Sequence, residues 1–259
     1  MADTKISALT AAASAAAANE YAINEAGTSK KVTGTQIKTL VTTAPVFAAG
    51  TASANTAPKL TSGTVNTTPE AGALEYDGKV FYASPEAANR GVIGSKYIIC
   101  LSATNTLTSS TAEQPLFDSV GAGTLTLPVG TYLFEALISV GSMSATSGNM
   151  VFDFLGAGTA TVGSVLYLAY GADVAPDSGN AISGICSTAA QIAGTNIVTA
   201  STATSVHFSA RGTFRVTGTG TLIPSGTLVT AAAAVVRVGS FFLCECVGSD
   251  TMQTVGQWS

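Results

Sequence analysis

From Tyr97 onward the apolar residues recur at every second position or in short continuous runs, and glycine-rich polar stretches separate them. YIICL, GTLTLP, TYLFEALISV, MVFDFL, VLYLAY, VHFSARGTFRV, TLVTAAAAVVRV and FFLCECV all have the length and composition of strands. In the sixth of these, Val206, Phe208 and Ala210 fall on one face, and His207, Ser209 and Arg211 on the other. VLYLAY is apolar on both faces. In an antiparallel sheet that pattern predicts burial on both sides, one face in the core and the other against a second subunit. Strands in this number, with no strong helical period between them, predict a mainly β chain. Residues 97–259 are expected to form an antiparallel β-sandwich of jelly-roll type.

Before Tyr97 the pattern changes. In residues 1–44, Tyr21 and Ile23 alternate with Ala22 and Asn24, EAGTS supplies turn chemistry, and KKVTG returns as a partner strand. Thr35 is placed to cap a short helix carrying Ile37, Leu40 and Val41 on one side. Ile6, Leu9, Val32, Ile37, Leu40 and Val41 offer more apolar surface than so short a unit can bury, so this unit is expected to dock on something. Residues 45–67 are small and hydroxylic, which reads either as flexible linker or as extended chain wrapped around symmetry mates. TPEAGALEYDGKVFY, residues 68–82, combines a proline-initiated turn at Pro69, alternation at Leu74 and Tyr76, and an Asp77-Gly78 pair. Asp-Gly predicts a hairpin with both turn residues at positive φ, and Val80, Phe81 and Tyr82 returning antiparallel. Residues 45–96 thus read as an extended linker and a hairpin collar.

Composition narrows the function classes. The chain is 46% hydrophobic but only 10% charged, against about 25% charged in an ordinary soluble domain. Its surface must be hydroxyls, glycines and backbone, or be covered by other chains. The net charge of -4 has the wrong sign for nucleic acid or anionic lipid, and only three of the eleven basic residues, Arg211, Arg215 and Arg237, follow Lys96. No run reaches the roughly 18 apolar residues of a membrane helix. The leader MADTK carries little positive charge ahead of AAASAAAA, so neither export nor membrane insertion is expected. Cys100, Cys186, Cys244 and Cys246 are too few for a disulfide framework and have no metal-ligand spacing; they read as reduced, buried thiols of a protein assembled in a cytoplasm.

Candidate chemistry is sparse. His207 is the single histidine, so any Ser-His-Asp or Cys-His arrangement would need it; beside Ser205, Ser209 and Arg211 it reads as a solvent-facing strand residue. Glu135, Asp153 and Glu245 are the acids that could flank a glycosidic bond, and in apolar strands they read instead as buried ion pairs with Arg211, Arg215 or Arg237 that fix strand register or subunit contacts. Asp173 and Asp177 lack an EF-hand-like ligand spacing for calcium. GAGTATVG is followed by strand, where a dinucleotide fingerprint needs a helix, so it reads as a turn. No catalytic residue, cofactor or metal is expected.

Three segments resemble the fibre and spike proteins of tailed bacteriophages. KISALTAA with KKVTGTQIKTL is similar to their virion-attaching N-terminal module, although Thr10 stands where proline is common, so the first turn is expected to differ. LTSGTVNTTPEAGALEYDGKVFYASP resembles the segment joining attachment region to distal domain. VGTYLFEALISV, SGNMVFDFLGAGTAT, GTLIPSGTLVT and the closing VGQWS resemble their C-terminal β-sandwich. The resemblance covers most of the chain, in the same order. It implies a homotrimeric virion structural protein, not an enzyme, assembled in the host cytoplasm. Ile6, Leu9, Val32, Ile37, Leu40 and Val41 would meet other virion proteins of tail or capsid, and the distal domain would meet host-surface glycan. A glycan-cleaving tailspike and a bacterial surface adhesin are the alternatives; the first would need a longer repetitive β-helix, the second an export signal.

Overall fold

A computed structural model describes residues 20–36, 60–118, 123–146, 148, 150–154, 158–173, 182–186, 195–198, 204–256 and 258. The chain divides into two units, Met1–Lys59 and Leu60–Ser259. The described part of the first unit is an antiparallel hairpin of β1 (Glu20–Glu25) and β2 (Thr28–Thr33), followed by a helical turn at 34–36. Ala26 and Gly27 both take positive φ, 51° and 81°, which gives the tight turn that matches strand twist.

Among the described residues of the second unit the strands are, in order, β3 (Leu74–Tyr76), β4 (Phe81–Glu86), β5 (Asn89–Ile93), β6 (Ser95–Cys100), β7 (Asn105–Thr106), β8 (Gln114–Pro115), β9 (Leu125–Leu127), β10 (Gly130–Gly141), β11 (Met150–Phe154), β12 (Thr161–Asp173), β13 (Ile182–Cys186), β14 (Thr195–Val198), β15 (Val206–Gly218), β16 (Gly220–Leu222), β17 (Pro224–Leu228), β18 (Val235–Val236) and β19 (Phe241–Gly248). The unit is mainly β, as the alternation predicts, and all its pairings are antiparallel. The largest sheet runs β13-β12-β15-β10; the far edge of β10 pairs with β19, which pairs with β6, and its end pairs with β18, which pairs with β7. A second sheet runs β14-β11-β17-β8, and β3-β4-β5 form a small sheet of their own.

The core forms because the strands keep parity. Tyr132, Phe134, Ala136, Ile138 and Val140 of β10 point inward with Val206, Phe208, Ala210, Phe214 and Val216 of β15, and all are buried. From the second sheet, the Phe152 ring of β11 lies 5.9 Å from Tyr167 of β12 and 5.4 Å from Phe208. Phe134 stacks 5.8 Å from Phe242 of β19, and Tyr132 stacks 5.1 Å from Phe214. These rings join the two sheets into a sandwich-like core, each contributing about 1.5–3 kcal/mol by burial. The Tyr132 hydroxyl donates to Pro128 O at 2.7 Å, so its polar end is satisfied.

One predicted strand is broken. TLVTAAAAVVRV splits into β17, which ends at Leu228, and the two-residue β18, with irregular chain between. Alanine has low β-propensity and little side chain to pack across a pleat, so four in succession do not hold a strand.

Candidate functional site

Of the apolar set in the first unit, Val32 is described: it sits half-buried in β2, with Tyr21 opposite. Ile6, Leu9, Ile37, Leu40 and Val41 lie outside the described residues. The helical turn after β2 is capped by Thr33 and not by Thr35. Gln36 N donates to Thr33 Oγ1 at 3.2 Å, while Thr33 N donates to Gln36 Oε1 at 2.8 Å. This is a reciprocal capping box, legible as Thr-x-x-Gln at residues 33–36.

In the small β3-β4-β5 sheet the Asp77-Gly78 pair departs from the expected turn. Gly78 takes a φ of 95° but Asp77 does not take a positive φ, and the loop from Tyr76 to Phe81 holds four residues. Asp77 turns the chain with its side chain instead: Lys79 N and Val80 N donate to Oδ1 at 2.7 and 2.9 Å, and the Tyr82 hydroxyl to Oδ2 at 2.8 Å. Partial burial works to raise the Asp77 carboxyl, but the hydrogen bonds from Val80, Lys79 and Tyr82 outweigh it and hold it below the usual carboxylate range. Burial first, and this bond second, push Tyr82 up to about 12. Arg90 closes the node. Its guanidinium is 2.8 Å from Glu75, donates to Asn66 O at 2.6 Å and lies 5.6 Å over the Tyr82 ring, while Glu75 also accepts Asn66 N at 2.7 Å. The node ties residue 66 to the small sheet.

The outer face of the largest sheet gathers most of the remaining candidates. Glu135 of β10 stands directly across from Arg211 of β15, both pointing outward and exposed, with no ion pair between them. Glu245 of β19 lies on the same face, diagonal to Glu135, and its carboxylate is 3.6 Å from Lys96. The buried ion pairs expected here are therefore absent among the described residues: strand parity puts these acids on the outside, where water screens them. Arg215 instead donates to Met252 O at 2.8 Å, and Arg237 to Ser205 Oγ at 3.1 Å. Of Asp153 only the backbone is described, on β11 in the other sheet, so the three acids do not converge. His207 and Ser209 point outward as the alternation predicts, but Ser205 is buried beneath Arg237.

Around these groups the outer face is apolar. Leu133, Leu137, Leu166, Tyr170 and Ile98 are between 47% and 66% exposed, and Leu168, Phe241 and Leu243 lie half-buried among them. VLYLAY thus presents Leu166, Leu168 and Tyr170 outward while Val165, Tyr167 and Ala169 fill the core. The stripe was legible in the sequence; its joining into one face was not, because that needs the register of strands far apart in the chain.

The cysteines divide. Cys244 and Cys246 are buried and unbridged, and burial first and Cys246 second push the Cys244 thiol up to about 12. Cys100 is exposed on β6 and departs from the buried reading, because the outward positions of that strand are 96, 98 and 100. The side chain of Cys186 and that of Asp173 lie outside the described residues, as does Asp177. Among the described residues no group of three or more His, Cys, Asp or Glu could hold a metal ion, and no helix is long and apolar enough to cross a membrane. Two cavities, of about 490 and 530 Å³, are lined by β6 with residues 123–125 and by β3-β4-β5; neither includes Glu135 or Glu245.

No protein-family model and no curated protein matches the chain. Among solved structures it is similar to the crystal structure of the infectious bursal disease virus VP2 subviral particle, at 9% identity and a TM-score of 0.15. That match covers 75% of this chain and 52% of the other, so the chain spans about half that protein's length. A similarity this slight carries no argument about fold or function.

Proposed function

We propose that this chain is a bacteriophage virion structural protein, a fibre or spike subunit. It attaches through residues 1–44, assembles as a homotrimer and presents residues 97–259 as a distal head of jelly-roll type. The observation that carries the reading is the nesting of strand pairs. Leave out the β12–β13 hairpin, the β9–β16 pair and the short strands β7 and β18, keep the two-residue β8 because it extends the second sheet, and eight strands remain. The first pairs with the last, β6 with β19; the next inward are β8 with β17, β10 with β15 and β11 with β14. One sheet then runs β6-β19-β10-β15 and the other β8-β17-β11-β14, the order of a long hairpin rolled over on itself. Such double-sheet rolls recur in viral capsid and lectin domains, where rigid strands carry binding loops. With the ordered resemblance of three segments to phage fibres, this favours a virion head that binds.

Deleting residues 1–44 is expected to leave a soluble protein that no longer joins particles. Incorporation at normal levels would place attachment elsewhere.

A second reading, glycan cleavage, has one observation in its favour: Glu135 and Glu245 share a face as diagonal neighbours. Glycan cleavage needs its two acids to flank a bound sugar in a cleft, and both carboxylates lie on an open face outside the lining of either cavity. Incubation with host-surface polysaccharide is therefore expected to release no reducing ends, whether or not the protein binds. Cleavage abolished by Glu135→Gln or Glu245→Gln would establish the tailspike reading instead.

A further inference from the structure

We infer that the outer face of the β12-β15-β10-β19-β6 sheet is the surface through which copies of this chain meet one another. The inference deepens the proposed function and rests on its self-assembly component, to which it gives a location and a register.

The face is largely apolar. Strand spacing of about 4.8 Å and a rise of about 3.4 Å per residue give it a footprint of roughly 20 Å by 15 Å. Eight of its outward side chains are Leu, Ile, Phe or Tyr. The charged and polar groups set among them leave a patch no larger than the largest on an ordinary monomer, and patches of that size are often functional.

Charge pattern identifies the occupant. The face carries Arg211, Lys96 and Arg215 against Glu135 and Glu245, with Arg215 turned to Met252 O, and in its central row the charges are opposite across the line between β15 and β10. Across that line the central row reads Leu168, Arg211, Glu135, Leu243; on one side of it the row reads Tyr170, Ser209, Leu137, Phe241, and on the other Leu166, Thr213, Leu133, Glu245, where Glu245 keeps Lys96 of its own chain as partner. A rotation axis running along the strands at this line brings the β12-β15 half of one copy against the β10-β19 half of another. Arg211 then meets Glu135, Leu168 meets Leu243, and Tyr170 meets Phe241. Within one chain, Arg211 and Glu135 stand side by side without an ion pair; between copies they supply each other's partner. An unrelated partner would have no reason to match this opposition of charge within the row, whereas a closed ring of identical chains requires it.

The test uses the full chain and reads molar mass by light scattering, with the strand signal in circular dichroism as a control for folding. Wild-type protein is expected to run as a multimer. Arg211→Glu, which sets like charges against each other, is expected to lose the multimer at the same concentration, and Arg211→Glu with Glu135→Arg to regain it. A second measurement does not depend on those variants. In a chain carrying Cys100→Ser, Tyr170→Cys and Phe241→Cys, the two new thiols sit three strand spacings apart, about 14 Å, too far to bridge within one copy. Mild oxidation is expected to link copies covalently. If the wild type is a multimer, Arg211→Glu leaves its mass unchanged and no cross-link forms, copies meet elsewhere and the face is overturned while self-assembly stands. A wild type with the mass of one chain overturns both, and leaves attachment through residues 1–44 to be judged by particle incorporation.

Discussion

Asp77 holds its turn with three hydrogen bonds to one side chain, so its removal is expected to loosen the small sheet more than the loss of an exposed aspartate would. Asp77→Ala leaves Lys79 N, Val80 N and the Tyr82 hydroxyl to water or to nothing; for a part-exposed carboxylate this costs about 1–2 kcal/mol. Proteolysis or amide exchange at residues 74–93 would read it, and unchanged protection there would contradict the role. The pH dependence has a definite sign. The folded carboxyl titrates below its ordinary value, so Asp77 contributes its stability above the unfolded value of about 3.9. That contribution is lost as pH falls through the lower folded value. Tyr82 acts at the other end: its folded value is raised to about 12, so its contribution is complete below about 10 and lost as pH rises toward 12. In Asp77→Asn the acid-side loss is expected to vanish.

Neighbouring positions of β15 separate the two faces of the large sheet. Phe208 is buried 5.4 Å from Phe152, and Phe208→Ala is expected to cost about 3–5 kcal/mol. His207, one residue earlier, is exposed, and His207→Ala is expected to stay within about 0.5 kcal/mol. Chemical denaturation of both variants would check this, and equal losses would mean that the strand parity is wrong. That parity was readable from VHFSARGTFRV because alternation is a local property. The first hairpin was readable too, since its strands and turn are contiguous. What sequence could not supply was anything set by pairing at a distance: Glu135 stands across from Arg211, 76 positions further along the chain. Nor was the choice between turns legible. Asp77-Gly78 looked like the tighter turn, yet Ala26-Gly27 takes the doubly positive φ, because turn geometry follows the number of residues between paired strands as much as their identity. The short strands β13 and β14 lack the alternation that made β10 and β15 visible, and only their neighbours make them strands.

The two-sheet part of the second unit, from β6 to β19, is closed by pairing of its first strand with its last, which makes it vulnerable late in the chain. β19 lies between β10 and β6, so Phe241–Gly248 joins β6, the first strand of the largest sheet, to the centre of that sheet. Its inward residues Phe242, Cys244 and Cys246 are buried against Phe134 and its neighbours. A chain ended before Phe241 would leave β6 without a partner, expose an edge of β10 and open the core along one side, with each lost aromatic contact costing several kcal/mol. These losses exceed what a marginally stable domain can absorb, since folded domains keep only about 5–15 kcal/mol in total. The expected outcome is that a chain ending at Ser240 accumulates as insoluble or unfolded protein, whereas one ending at Thr251, which keeps β19 whole, folds. Because the closing contact joins strands about 140 residues apart in the chain, folding should also be slow, in the range of milliseconds to seconds, and limited by this pairing. Cooperative unfolding of the shorter chain, measured by circular dichroism with its buried rings still protected from solvent, would show that β19 is an addition to the fold and not its closure.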